Sequence, residues 1–183
     1  MKKEISTLDI DHLALLRKNV ELFMDRVSRQ YAKTAGMLLD VAPQDHRGAR
    51  PFFAPEVQIE TLDIDAASGA THIADLCKCV DTVGADRFDF IVCTEVLEHT
   101  RQPFDAVNSI YSMLKPGGLA FVTTPFNFRI HGPLPDCWRF TEHGLRELFL
   151  QFEIVELDGL ECEDRFLMPI QYTLVARRPL LTA

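Results

Sequence analysis

The chain has 183 residues, of which 47% are hydrophobic and 25% charged, and its formal net charge is -8. Such a length and balance suit one globular domain with a sizeable core and exclude a fibre, a collagen-like repeat or a disordered chain. The acidic surplus opposes phosphate backbones, so no nucleic-acid partner is expected, and no apolar run approaches the roughly 20 residues that span a bilayer.

The opening MKKEISTLDIDH has Lys2 and Lys3 but no apolar segment behind them, so no secretory leader is expected. Residues 10–31 then place Leu13, Leu16, Val20, Phe23 and Val27 at three-and-four spacing, the stripe of an amphipathic helix, with Asp9 or Asp11 as its cap. Such a helix packs on the domain; a lid over a site or a homodimer surface are the other uses of the same stripe. Met37 to Ala42 is a short apolar run ended by Pro43 and reads as a buried parallel strand. Val57 to Leu62 is a second strand and Thr71 to Ala74 a weaker third. Phe88 to Thr94 (FDFIVCT) is the strongest.

Pro103 suits a first helical turn, and Phe104, Val107, Tyr111 and Leu114 form the predicted inner face. Lys115-Pro116-Gly117-Gly118 stops that helix, and Leu119 to Thr124 is the next strand. A polar-aromatic loop, residues 127–140, leads to a helix capped by Thr141 with Leu145, Leu148 and Phe149 inside. Phe152 to Leu157 and Ile170 to Ala176 close the chain as strands, the last expected at a sheet edge. The alternation predicts an α/β fold: a doubly wound, mostly parallel sheet in three α/β/α layers, ending in an antiparallel hairpin. It is one domain over residues 1–183, with a helix in 1–33 and the core in 37–176. The five scattered cysteines (Cys77, Cys79, Cys93, Cys137, Cys162) fit reduced thiols and a cytoplasmic setting. Cys77-Lys78-Cys79 with His72 lacks both the two-residue gap and the second pair of a structural zinc site, so no metal is expected.

Doubly wound sheets bind ligands beyond the carboxyl ends of their strands. Those positions hold Ala42, Pro43 and Gln44; then Asp63, Ile64 and Asp65; then Asp75; then Thr94, Glu95 and the run Val96-Leu97-Glu98-His99. Asp63 suits a ribose, because a carboxylate accepts from both hydroxyls of a vicinal diol; as a turn residue it would serve its own loop instead.

The stretch FDFIVCTEVLEHTRQPFDAVNSIYSMLKPGGLAFVTTPF closely resembles the fourth-to-fifth-strand block of class I S-adenosylmethionine-dependent methyltransferases, and HGPLPDCWRFTEHGLREL resembles a subgroup with a PDxWRFT-like loop. The resemblance runs from about Met37 to Phe149 and implies a Rossmann-like fold and S-adenosylmethionine as cofactor. It implies a ribose-binding Asp63 with Ile64 beside it, Asp75 and Leu76 near the adenine, and Thr94 and Glu95 along the methionine part. The departure is at the first loop, where Ala42-Pro43-Gln44 replaces a glycine-rich turn and Gly48 comes too late to substitute. Either Gln44 and the backbone near Pro43 hold the cofactor's amino-acid end in a variant way, or binding is weakened.

Methyl transfer from a sulfonium needs alignment and a dry pocket, and a base only when the nucleophile starts protonated. His131 and His99 are the candidate catalytic groups; His99 also suits a helix start that bonds to backbone. Asp136, Trp138 and Arg139 are candidates for the acceptor: an indole to stack on a sugar or flat ring, a guanidinium to pair an anion. The same three can instead anchor their own loop. The expected activity is methyl transfer to a small-molecule or saccharide-like acceptor. The alternative is a non-catalytic protein of the same fold acting as a binding partner or scaffold. A nicotinamide enzyme would need a G-x-G-x-x-G turn that is absent.

Overall fold

A computed structural model describes residues 5–43, 48–162 and 165–180. Its centre is a seven-stranded sheet of β1 (Gly36–Val41), β2 (Val57–Asp63), β3 (His72–Ile73), β4 (Phe88–Thr94), β5 (Leu114–Pro125), β6 (Glu153–Leu160) and β7 (Gln171–Arg177), in the order β3-β2-β1-β4-β5-β7-β6. The first five in that order are parallel; β7 runs antiparallel to β5, and β6 antiparallel to β7. The expected α/β sheet with its terminal hairpin is the one observed. The order reverses direction between β1 and β4, which makes their carboxyl ends a topological switch point.

Successive strand residues alternate faces, and the two sides of the sheet separate accordingly. Leu39, Ile91 and Ala120 join one core with helices α2 (Val80–Val83), α3 (Pro103–Met113) and α4 (Glu142–Leu148). Leu38, Val92 and Phe121 join the other, which α1 (Thr7–Tyr31) covers with Phe23, Met24 and Val27. The long first helix therefore packs on the domain. Its cap is Ser6 rather than Asp9 or Asp11: the Ser6 hydroxyl accepts from the Asp9 amide at 3.2 Å, while Asp9 in the first turn accepts the hydroxyl proton.

Two more expectations change. Phe104 is 62% exposed, and the inner face of α3 is Ala106, Val107, Ile110 and Met113. The stripe is rotated because small residues, Ala106 and Ser109, face the core where large ones were assumed. The final strand is not at the edge: β7 lies between β5 and β6, and β6 is outermost. Leu174, Val175 and Ala176 are buried on both faces, as an interior strand requires, whereas β6 carries Glu153, Glu156 and Asp158, which guard an edge.

Lys115 to Gly118 are already inside β5, and the register shift between Phe88 and Phe90 absorbs them. Between β1 and β2 the described residues contain no helix; the chain returns through a turn at residues 48–52. Among the described residues no helix is long and apolar enough to cross a membrane.

Candidate active site

At the switch point the chain leaves β1 through Ala42, whose φ of 50° is the left-handed conformation that glycine adopts most readily. The turn thus keeps a glycine-like backbone with an alanine in it. Asp40, two residues earlier in β1, is buried, and its Oδ2 accepts from the Ala49 amide at 2.6 Å. Burial pushes its carboxyl group up to about 6, because a charge there is poorly solvated. Gly48 folds back on this pair: a Cβ on it would stand 2.3 Å from Asp40 Oδ2 and 2.9 Å from Pro43 Cβ. Only a glycine, itself at φ +56°, allows that approach. Gly48 does not replace the missing glycines of the turn but closes the turn from outside. Gln44 lies outside the described residues.

Next to this turn, β4 ends in Thr94 and Glu95, and Glu95 also has a left-handed φ, 56°. Its Oε1 accepts from Thr123 Oγ1 at 2.8 Å and Gln171 Nε2 at 2.7 Å, and its buried Oε2 has no partner. Burial first, then the neighbouring Glu98, push this carboxyl group up to about 8. Gln171 in turn accepts from Asn19 Nδ2 at 2.7 Å, which ties the middle of α1 to the site.

A cavity of about 650 Å³ opens over these strand ends. Asp40, Ala42 and Pro43 line one part, Thr94 and Glu95 the next, and His99 and His131 the far end. Leu13, Leu16, Val20 and Met24 of α1 form an apolar wall, with Arg17 and Glu21 among them. The helix is therefore both core and cover.

At the far end three side chains converge. Glu98 is fully buried, and neither carboxylate oxygen has a hydrogen-bond partner. The His99 and His131 rings meet edge to face at 4.8 Å between centroids. Each Nε2 stands 3.6 Å from Glu98 Oε1. His99 Nδ1 bonds to the Pro135 carbonyl at 2.9 Å and His131 Nδ1 to Asp136 Oδ2 at 3.1 Å. The Glu98 carboxylate beside His131 raises the pKa of that imidazole. Arg139 clamps Asp136 with bonds of 2.5 and 2.7 Å and holds its carboxyl group well below the usual carboxylate range.

Of the residues singled out in the sequence, Ala42, Pro43, Thr94, Glu95, His99 and His131 share this one cavity. The other described ones do not line it. Asp63 is buried, and its Oδ1 accepts from the Asp65 amide at 2.8 Å; Ile64 is 71% exposed. Asp75 caps a short 3-10 turn over Leu76–Lys78 by accepting from the Cys77 amide at 2.9 Å. Trp138 donates to the Thr100 carbonyl at 2.8 Å and stacks on Phe140, while Asp136 and Arg139 pair with each other. That loop set is engaged internally. Asp40, Asn19 and Gln171 were not singled out, and Glu98 was named only within the run Val96–His99; Asp40 falls inside the predicted first strand, whereas nothing local marks Asn19 or Gln171.

A family model described as Methyltransferase domain matches residues 14–157. A ubiquinone biosynthesis O-methyltransferase of Parvibaculum lavamentivorans is 36% identical over 73 residues, 39% of this chain and 29% of that protein. Its counterpart in Marinobacter nauticus is 41% identical over 54 residues, 30% of this chain and 22% of that protein. The chain thus aligns with less than a third of the length of these curated relatives. Among solved structures, the [4+2]-cyclase SpnF superposes with a TM-score of 0.69 at 17% identity, covering 86% of this chain and 80% of that one. The 1,6-didemethyltoxoflavin-N1-methyltransferase of Burkholderia thailandensis, with S-adenosylhomocysteine bound, superposes with a TM-score of 0.63 at 14% identity, covering 98% and 93%. These two likenesses concern the fold. The family match over most of the chain, on a sheet of this order with its cavity at the switch point, means that the chain belongs to the methyltransferase domain family.

Proposed function

We propose that this domain binds S-adenosylmethionine across the β1, β2 and β4 ends and transfers its methyl group to a small-molecule acceptor. The observation that carries the reading is the single cavity joining the Asp40–Ala42–Pro43 turn to His99 and His131. The residues at the turn fit the cofactor. A buried carboxylate whose charge is poorly solvated gains from a cationic group nearby, and S-adenosylmethionine brings an ammonium and a sulfonium. The left-handed Ala42 keeps the backbone in the course that a glycine turn would follow. The variant loop thus favours a modified binding turn over a non-catalytic scaffold.

In this reading Asp63 and Ile64 face the ribose, and Asp75 with Leu76 borders the adenine, on loops next to the enclosed part of the site. Thr94 and Glu95 run along the methionine portion. When bound, the cofactor supplies an activated methyl group, and the protein supplies alignment and exclusion of water. The apolar wall from α1 serves that exclusion. A hydroxyl acceptor must lose its proton, and His99 and His131 are the lining groups suited to assist its loss. The O-methyltransferase names of the partial relatives agree with such an acceptor. Asp136, Trp138 and Arg139 hold the loop that carries His131, and the exposed face of Trp138 is available to a saccharide-like ring.

The test is calorimetric titration of S-adenosylmethionine and S-adenosylhomocysteine into the wild type and Asp63→Ala. Saturable binding by the wild type, weakened at least tenfold in Asp63→Ala, is expected. Absence of saturation up to millimolar ligand would overturn the reading, and equal affinity of the variant would remove Asp63 from the site.

A further inference from the structure

We propose that Glu98, His99 and His131 bind one divalent transition-metal cation at the far end of the cavity. One nitrogen from each ring and one Glu98 oxygen all lie within 4.8 Å of one another.

Three observations point the same way. The first is the Glu98 carboxylate, fully buried with both oxygens unpartnered. A native fold rarely leaves such a group without compensation, and the commonest forms are a paired charge or a metal ion.

The second is spacing. Each histidine Nε2 is 3.6 Å from Glu98 Oε1, too far for a hydrogen bond. Two ligand atoms that each sit about 2.1 Å from one ion, at a tetrahedral angle, stand about 3.4 Å apart. Both nitrogen–oxygen separations are close to that value.

The third is the orientation of the rings. His99 Nδ1 faces a carbonyl oxygen, which can only accept, so Nδ1 carries the proton. His131 Nδ1 faces the Asp136 carboxylate, which Arg139 pins in place, so its proton is also on Nδ1. In a neutral ring that leaves the Nε2 lone pair. Two such lone pairs facing one carboxylate oxygen need positive charge between them, from a ring proton or from a metal ion, and a single metal ion serves all three groups at once. A histidine whose outer nitrogen is bonded to a carboxylate or carbonyl is the usual support of a metal ligand.

Two imidazole nitrogens with one carboxylate suit zinc, iron(II) or manganese(II) better than calcium or magnesium, which prefer oxygen alone. His99 and His131 line the cavity, so an ion between them has an open side toward it. There it would act as a Lewis acid on an acceptor oxygen and lower the pKa of its proton, with the two rings serving as ligands instead of as bases. This consequence rests on the methyl-transfer reading above; the metal binding does not.

The test uses the full chain, stripped with a chelator, dialysed, and titrated separately with zinc and manganese(II) by calorimetry. Bound metal is counted by elemental mass spectrometry. One ion per chain is expected, with affinity about 100-fold weaker or worse in Glu98→Gln and in His131→Asn. Circular dichroism reports whether each variant is folded, and if Glu98→Gln is not, the half-buried His131→Asn carries the comparison. Failure of both ions to saturate the wild type would overturn the proposal, as would undiminished binding in a folded variant, which would put the ion elsewhere. S-adenosylhomocysteine titrated into the same samples separates the two readings. A wild type that takes metal but not this ligand would sink the methyl-transfer reading and leave the metal site standing.

Discussion

Asp40 carries an electrostatic cost that a single substitution can expose. Its carboxyl group is buried, receives one described amide, and is raised to about 6 in the fold. In the unfolded chain an aspartate titrates near 3.9. The folded state therefore holds the proton more tightly. Its contribution to stability is fully present below about pH 4 and is lost as pH rises through about 6. Asp40→Asn keeps an oxygen for the Ala49 amide and removes the charge. Urea unfolding of both proteins should show Asp40→Asn gaining on the wild type by about 2–3 kcal/mol between about pH 4 and pH 7. A difference that does not change with pH would mean that Asp40 is solvated in the fold. The same residue scale explains why the sequence left the first loop open between two readings. Composition shows that the glycines are absent but not that Ala42 takes a left-handed φ or that Gly48 closes on Asp40.

At the scale of elements, the segment from β4 to β5 was legible in detail. FDFIVCT is β4, Pro103 opens α3, and the apolar run after Gly118 is the later part of β5. The glycines near the start of β5 do more than stop a helix. A Cβ on Gly118 would lie 2.9 Å from the Lys115 carbonyl oxygen and 3.1 Å from that of Phe88. Both obstacles are backbone, one of them in the neighbouring strand, and neither can move without disturbing the β4–β5 register. Gly118→Ala should cost about 2 kcal/mol or more, read as a lowered midpoint in thermal or denaturant unfolding. A neutral result would show that the register shift next to Phe88 has slack. What was misjudged at this scale concerns rank within a layer. The stripe of α3 was drawn through Phe104 because large apolar residues dominate a periodicity count, yet small residues such as Ala106 allow the closer approach to the sheet. The interior place of β7 follows from apolar residues on both of its faces, while β6 bears the charges that an edge tolerates.

In the whole molecule α1 joins stability to the site. Its later turns bury Phe23, Met24 and Val27 against one face of the sheet, and its earlier turns wall the cavity with Leu13 and Leu16. Asn19, between them, is linked through Gln171 to Glu95. Phe23→Ala should destabilise the fold by about 3–5 kcal/mol, measured by urea unfolding. Because the same helix covers the cavity, S-adenosylhomocysteine affinity should fall in the folded variant as well. Unchanged affinity would mean that α1 covers the cavity without helping to hold its ligand.

Periodicity in the sequence reports which face of a segment avoids water, and the doubly wound order follows from strands alternating with helices. That much determined the fold class and the rim of strand-end residues from Ala42 to His99, while the strand order that makes a switch point of the β1 and β4 ends came from the structure. The convergence of Glu98, His99 and His131 was decided only by the tertiary structure. His131 comes from the loop after β5, and its approach depends on Asp136 and Arg139 holding that loop in place. Glu98 reads in the sequence as one charge in a helical turn, but the fold buries it completely. Local pattern carries the burial of a face; it carries neither the distance between side chains from different loops nor the absence of a partner for a buried oxygen.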